Sequence, residues 1–556
     1  MHYFFRYLTK KINQRFKDNQ IIILIGSRQV GKTNIAKNFF TNYLKLDAKK
    51  FYFDFEKSGD LEIWQNIDYL ERYLSQHKLS LNNKLFFAID EFQYLKNATK
   101  IFKLIYDQYP QIKILATGSS SIEIQKHLKE SLTGRKKVYQ VYPLNLEEYI
   151  LATDRKNIFH KINCETALPS QANKINQVVL SDYLLWGGYP RLAEKKSASR
   201  EIKKEELSDI YSSYIQKDIK ALIGGENILT FNNLVKILAS QIGNLLNVNE
   251  LSKTLRISRY EIEKYLNILE QTYIIKRVPA YFKNKRKEIT KMPKLFFYDL
   301  GLVNMAMSNF SNIDNRPNLG AILENFVHNQ LRYFMSITDE LFFWRTLEGA
   351  EVDLIWKRDD GLLPIEVKWN SFTEPKIPVN LKNCCKKFKA NKAWVITKDY
   401  SNVIKEKRIE YTFIPACMLM KKIILIFAIT LLITGCADNN SNQNINIVNS
   451  SVNQKDPYYC EQDSDCAHAC MLINENYDTA DSVSGRGECF NKKYYQNIRT
   501  QMKQVEFLGT EYKRLRDIIN NLTKNSCCAC DVIGECTTCA CENNKCTNHG
   551  TGDVSC

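Results

Sequence analysis

The sequence predicts an α/β chain: a parallel-sheet domain, a helical and winged-helix region, a second α/β domain and a small disulfide-rich tail. Three observations carry the prediction. Five apolar residues, Ile21 to Ile25, run straight into a glycine-rich turn ending in Lys32-Thr33. A second apolar run, Leu85 to Ile89, ends in the acid pair Asp90-Glu91. At Met420 the composition changes abruptly. Residues up to 435 carry a net charge of +22 and four of the 17 cysteines, whereas the remainder carries −5 and thirteen.

The first element is Gly26-Ser27-Arg28-Gln29-Val30-Gly31-Lys32-Thr33, which fits the P-loop spacing G-x-x-x-x-G-K-[ST]. A buried strand ends at Gly26, and the two glycines tolerate backbone angles that let the loop wrap a phosphate. Its amides and the helix starting near Lys32 present positive ends to that phosphate. The motif gives Lys32 the β and γ phosphates of ATP and gives the Thr33 hydroxyl the Mg²⁺. Lys50 to Phe55 alternates as a short strand, and Leu61, Ile67, Leu70 and Leu74 mark an amphipathic helical stretch.

The run Leu85 to Glu91 places two carboxylates at the carboxyl edge of a buried strand, where parallel α/β sheets bind ligands. Asp90 is expected to hold Mg²⁺ through water, and Glu91 to orient and deprotonate the attacking water. A third strand, Ile112 to Thr117, ends in Gly118-Ser119-Ser120-Ser121. Thr117, with Ser119 as the second choice, is the expected sensor of the γ phosphate; a serine-rich helix cap is the competing reading. Arg135, just before a strand at Val138 to Val141, is a candidate arginine finger for a neighbouring copy of the chain, or a surface ion pair. This βαβαβα order places the first domain at residues 1–150.

Residues 151–230 read as a helical connector interrupted by Gly187-Gly188-Tyr189-Pro190, and residues 231–300 as a winged helix-turn-helix. From Asn249 the segment Glu250 to Tyr260 reads as helix, turn and then a second helix running to about Tyr273, and the strands Ile274-Ile275 and Leu295 to Tyr298 follow. Between those strands lie Lys283, Lys285, Arg286, Lys287, Lys291 and Lys294; with Ser258 and Arg259 they are candidate DNA contacts. Such modules also mediate protein contacts, and that alternative stays open.

Residues 301–419 hold a second constellation. Glu324 lies on a helix, Glu351 to Ile355 forms a strand carrying Asp353, and Pro364 to Lys368 forms another carrying Glu366 and Lys368. This is the arrangement of PD-(D/E)xK nucleases. Alternation sends Glu366 and Lys368 to one face, so Asp353 and Glu366 would hold Mg²⁺, Lys368 would position the water, and Glu324 would complete the shell. An inert relic of the nuclease fold is the competing reading.

Met420 to Cys436 combines two lysines, an apolar run and Ile433-Thr434-Gly435-Cys436, which resembles a bacterial lipoprotein signal with Cys436 as the lipidated residue. The run falls short of the roughly 20 residues that span a bilayer. A signal normally opens a protein, so this placement points to two reading frames joined. Residues 1–419 are then expected in the cytoplasm and 437–556 outside it, anchored through 420–436. An Asn/Ser-rich linker, 437–456, leads to a Cys-rich domain, 457–556, with helical periodicity from Ile498 to Leu522. Its twelve cysteines suggest disulfides, with a zinc cluster on Cys536 and Cys539 as the rival.

As an ordered set these stretches resemble the bacterial and archaeal AAA-type ATPases that carry a C-terminal domain of unknown function with a nuclease-like core. The resemblance rests on GSRQVGKT (Gly26–Thr33), DEFQ (Asp90–Gln93), TGSSS from Thr117, LTGR (Leu132–Arg135) and GGYP (Gly187–Pro190). LFFYDLGL (Leu295–Leu302), GAILENFVHNQL (Gly320–Leu331), FWRTLEGAEVDLIW (Phe343–Trp356) and PIEVK (Pro364–Lys368) complete it. It covers about residues 1 to 418 and implies ATP binding and hydrolysis with Mg²⁺. It leaves the partner open between DNA and protein.

Overall fold

The computed structural model describes residues 4–16, 18, 20–43, 48–119, 132–155, 169–214, 223 and 227–423, together with five short strands between 470 and 548. The chain divides into two compact units, Met1–Ile423 and Ile424–Cys556.

The first sheet of the front unit is parallel, in the order β2-β3-β4-β1-β5. Its strands are β1 (Ile21–Gly26), β2 (Lys49–Asp54), β3 (Leu85–Asp90), β4 (Lys113–Ser119) and β5 (Lys136–Gln140). Every residue of β1 and β3 is buried, which is why both read as continuous apolar runs and not as alternating ones. The core beside them gathers Phe53, Trp64, Phe87 and Phe102 around Ile23 and Ile89. Because β4 lies between β1 and β3, with Gly26 opposite Ser119, the carboxyl ends of the three strands share one edge.

Helices Pro169–Ile175, Ser181–Trp186, Pro190–Glu194 and Arg200–Tyr214 follow. Between the second and third, Gly187 is wedged against Asp299 and Gly188 against the Leu144 backbone. Gly188 N donates to Asp299 Oδ2 at 2.7 Å, and Leu302 N donates to Asp299 Oδ1 at 3.2 Å. The GGYP and YDLGL segments, more than a hundred residues apart, thus form one joint.

A helix-turn-helix comes next, Val248–Leu255 and Arg259–Gln271, with Arg256 in the left-handed region at the turn. Ser258 and Glu261 form a capping box that starts the second helix, a contribution of about 1 kcal/mol. The antiparallel pair β6 (Ile275–Val278) and β7 (Lys294–Phe297) follows. The basic connection between them contains a short helix, Lys285–Thr290. Lys283, Arg286 and Lys291 are exposed, and Lys285 pairs with Glu288. Lys294 departs from the expected solvent-facing set: it is 2% exposed and points into carboxylates.

The second sheet is mixed, in the order β12-β13-β11-β10-β9-β8. Strands β8 (Glu340–Arg345), β9 (Glu351–Arg358) and β10 (Gly361–Lys368) form an antiparallel meander. The helix Val379–Phe388 then crosses over to β11 (Lys392–Thr397), parallel to β10, and β12 (Asn402–Glu406) and β13 (Ile409–Pro415) close the sheet. The helix Leu319–Arg332 carries Glu324.

Met420 to Ile423, the first four residues of the signal-like stretch, are helical and belong to this front unit, with Met420 and Ile423 buried. Lys421 faces Glu147, whose carboxyl burial pushes up to about 7, with the Tyr7 hydrogen bond and the Lys421 charge acting the other way. A raised carboxyl contributes stability in full below its unfolded value and loses it as pH climbs through the folded one. Glu147→Gln should therefore melt higher than the parent chain at pH 8, with the difference shrinking toward pH 5 in thermal melts. A difference independent of pH would refute the assignment.

In the second unit β14 (Cys470–Leu472), β15 (Gly485–Cys489) and β16 (Ala529–Val532) form an antiparallel sheet. A hairpin pairs β17 (Cys539–Glu542) with β18 (Lys545–Asn548). Cys436, the linker, the stretch Ile498 to Leu522 and the side chains of the tail cysteines lie outside the described residues, and the expected disulfides with them.

Candidate functional site

At the carboxyl edge of the first sheet the two glycines of the loop have different reasons to be glycine. Gly31 has φ +94°, a conformation that favours glycine, and the helix Lys32–Asn38 begins directly after it. Gly26 carries no such angle, contrary to the expectation that both glycines serve backbone freedom. A Cβ there would lie 2.3 Å from the Val141 carbonyl oxygen, so this glycine permits a close approach of β1 to the chain leaving β5. Arg6 braces the loop from the amino-terminal segment: its Nη1 donates to Val30 O at 2.9 Å, and its Nε pairs with Glu148 at 3.2 Å.

Lys32 is 5% exposed and donates to Gly26 O at 3.1 Å and Ser27 O at 2.9 Å. Thr33 donates from Oγ1 to Asp90 Oδ1 at 3.2 Å, joining the two motifs across 57 residues of sequence. Asp90 also accepts from the Thr117 hydroxyl and from Tyr52 OH at 3.0 Å. The backbone N–H of Glu91 donates to Thr117 Oγ1 at 3.3 Å, and Gln93 donates to the Glu91 carboxylate. Glu91 itself is left-handed, φ 54° and ψ 47°, a strained setting for a side chain with a Cβ. Burial raises its carboxyl above the usual range, and the Lys32 charge offsets part of that rise.

Lys32, Thr33 and Glu91 open into a cleft of about 500 Å³. Arg28, Lys32, Thr33 and Glu91 line one side, and Pro190, Arg191 and Ser213 of the helical segment line the other. Gln29 Nε2 donates to Ser213 Oγ at 3.2 Å, and Arg191 pairs with Glu206 at 2.5 Å. The residue set fits a magnesium-bound nucleoside triphosphate. Thr33 and Asp90 stand together at the strand edge, and Mg²⁺ takes few protein oxygens, completing its shell with water and phosphate.

Sequence reading did not single out Arg6, Tyr52 or Arg191. Arg191 follows GGYP immediately, the one signal that could have drawn attention to it. Arg135 stands apart from the cleft. Its carbonyl accepts from Ile21 N at 2.9 Å at the amino edge of the sheet, and its side chain pairs with Asp107 at 2.6 Å. One strand length, roughly 16 Å at the usual rise, separates that edge from Gly26. Ser119 ends β4; its side chain lies outside the described residues.

The second expected site also assembles. Asp353 accepts from Val367 N at 2.8 Å, and Lys368 pairs with Glu366 at 2.8 Å. Glu324 approaches from its helix, but through Lys294, which lies 3.0 Å from Glu324 Oε2 and 4.0 Å from Asp353 Oδ1 and also pairs with Glu351. Burial, then the charge of Asp353, pushes Glu324 up to about 8 and Glu366 to about 7. Burial alone would lower the Lys294 ammonium; Glu324, Asp353 and Glu351 reverse that and raise it. Among the described residues no group of three His, Cys, Asp or Glu is arranged to hold a metal ion. Lys294 stands between Glu324 and Asp353, where Glu324 was expected to complete the Mg²⁺ shell of Asp353 and Glu366.

Residues 18–150 match the family described as an AAA domain. The front of the chain is thus similar to AAA domains and carries a P-loop. Behind it, residues 178–314 match a Domain of unknown function (DUF8612), and residues 319–417 match another, DUF4143. An uncharacterized protein of Haemophilus influenzae is 25% identical over 367 residues, covering 64% of this chain and 84% of its own. One from Methanocaldococcus jannaschii is 28% identical over 355 residues, covering 63% and 74%. Among solved structures, the Walker-type ATPase paby2304 of Pyrococcus abyssi aligns with TM-score 0.37 and 17% identity, over 55% of this chain and 95% of its own. The AAA-type domain contributes the P-loop side of the cleft, while Pro190, Arg191 and Ser213 come from the DUF8612 segment. No helix among the described residues is long and apolar enough to cross a membrane.

Proposed function

We propose that the chain hydrolyses Mg-ATP and couples turnover to movement of its helix-turn-helix and C-terminal segments on DNA. The observation that carries the reading is the Thr33–Asp90 contact beside the half-buried carboxylate of Glu91. The loop amides and Lys32 bind the phosphates, and Glu91 accepts the proton of the attacking water. Mg²⁺, held by Thr33 and through water by Asp90, would supply charge neutralisation on the phosphate oxygens. Thr117, bonded to both Asp90 and the Glu91 backbone, holds the two acids in register.

A DNA partner is supported by the exposed Ser258 and Arg259 at the start of the second helix of the helix-turn-helix, and by the exposed Lys283, Arg286 and Lys291. Arg135, a strand length from its own P-loop, reaches a phosphate only in a second copy of the chain, so self-association belongs to the same reading. A second reading, a nucleotide-gated module acting on a protein through an inert nuclease-like fold, is favoured by Lys294 inside the acidic cluster.

Turnover of ATP by the full chain, measured with and without duplex DNA, tests the first reading. Turnover lost in Lys32→Ala and raised by DNA, with the stimulation falling as salt increases, is the expected result. Turnover unaffected by Lys32→Ala would refute the ATPase reading. Turnover that depends on Lys32 but ignores DNA, with no DNA bound at low salt, would leave the protein-directed reading in its place.

A further inference from the structure

The acidic cluster of the C-terminal sheet already contains a cation. Lys294 opens β7, outside that sheet, yet its ammonium sits among Glu324, Glu351 and Asp353, and its side chain is 3% exposed. Arg345 lies 3.3 Å from Glu351, and Lys368 lies 2.8 Å from Glu366. Four carboxylates thus face three cations, which leaves little uncompensated charge for a divalent ion to neutralise. One oxygen of Asp353 is committed to Val367 N, and Glu366 Oε2 is the buried carboxylate oxygen of the cluster without a hydrogen-bond partner. An arriving ion would also have to expel Lys294, leaving an ammonium buried and unpaired.

Neighbouring contacts show what the lysine secures. Phe297, at the other end of β7, is clamped to the helix Leu319–Arg332 through its N–H on Asn325 Oδ1 (2.6 Å) and its carbonyl on Asn325 Nδ2 (2.8 Å). Asn329 Nδ2 adds bonds to the carbonyls of Phe297 (2.9 Å) and Tyr298 (3.1 Å). Lys294 also lies over the Phe343 ring, 5.6 Å from its centroid, and so touches β8. Both ends of β7 are therefore fixed to the C-terminal domain, one by amides and one by charge.

We infer that Lys294 is the resident cation of the cluster formed by Glu324, Glu351, Asp353 and Glu366. The cluster is a socket for β7, which ties the ribbon behind the helix-turn-helix to the C-terminal sheet, and it takes no divalent ion in the native chain. This holds whether or not the chain hydrolyses ATP.

Calorimetric titration of the full chain with Mn²⁺, without nucleotide, tests the inference. The parent chain should show no Mn²⁺ uptake that Asp353→Asn removes. Lys294→Met should gain one bound ion with affinity about tenfold or more above the parent, lost again in Lys294→Met combined with Asp353→Asn. Uptake by the parent chain that disappears in Asp353→Asn would overturn it, as would a folded Lys294→Met that gains nothing. If Lys294→Met does not fold, amine acetylation of the parent chain read by mass spectrometry decides. Lys294 should stay slow to react with or without millimolar Mn²⁺, and acceleration by the ion would show that the lysine is displaced and refute the socket.

Discussion

Glu91→Gln should lower the rate of ATP hydrolysis by about 10²–10⁴-fold, the usual contribution of a positioned general base, while nucleotide binding stays near that of the parent chain. The amide keeps the shape and accepts a hydrogen bond from Gln93, but it cannot take a proton. Binding is expected to survive because the loop amides, Lys32 and Thr33 are left untouched. The same carboxylate should appear in the pH profile of turnover. Burial raises it above the ordinary range, so its ionised, proton-accepting form grows as pH rises, and the acid limb of the profile should fall away in Glu91→Gln. A fluorescent nucleotide titration beside a phosphate-release assay separates the two effects. Binding and turnover lost together would mean that Glu91 shapes the loop and is not the base.

Gly187→Ala is expected to have the largest effect on stability. Gly187 has φ +79°, and a Cβ there would meet Asp299 Oδ1 at 2.2 Å and Oδ2 at 2.6 Å. Both oxygens are engaged with backbone N–H groups, so Asp299 cannot yield without leaving donors buried and unmet. Overpacking and left-handed strain together put the loss at about 3–4 kcal/mol. Gly59→Ala is the control, since a Cβ there meets nothing within 4 Å. Urea unfolding followed by circular dichroism should show the midpoint falling in Gly187→Ala and holding in Gly59→Ala. An unchanged midpoint in Gly187→Ala would mean that the GGYP joint is slack. Because the joint lies next to Pro190 and Arg191 in the cleft, a loosened variant should also weaken nucleotide binding.

Most of the first sheet was legible because its chemistry is local. A phosphate loop needs strand, glycine turn and helix in immediate succession, and an acid pair at a strand end needs only the preceding apolar run. The strands at Lys50, Ile112 and Val138 were placed to within a residue or two at their starts. The helix-turn-helix was legible as two helical stretches either side of a short turn; the capping box of Ser258 and Glu261 that starts the second helix came from the structure. Glu366 and Lys368 of the second sheet could be assigned to one face by alternation alone.

Other features depended on residues far apart in the chain. Lys294 stood in a run of basic residues and read as one more solvent-facing charge; only the docking of β7 against β9 and the helix Leu319–Arg332 buries it and sets its ammonium among Glu324, Glu351 and Asp353. Tyr52 reaches Asp90 because β2 lies beside β3, and Arg191 reaches the cleft because the GGYP joint folds onto Asp299. Gly26 is a glycine on account of Val141, which is 115 positions away. The sequence by itself determined the motifs whose geometry is set by neighbouring peptide bonds: the loop and the strand-end acids. The tertiary structure decided which charges are neutralised and by what, because Coulomb energy and desolvation depend on distances across the fold that no spacing along the chain encodes.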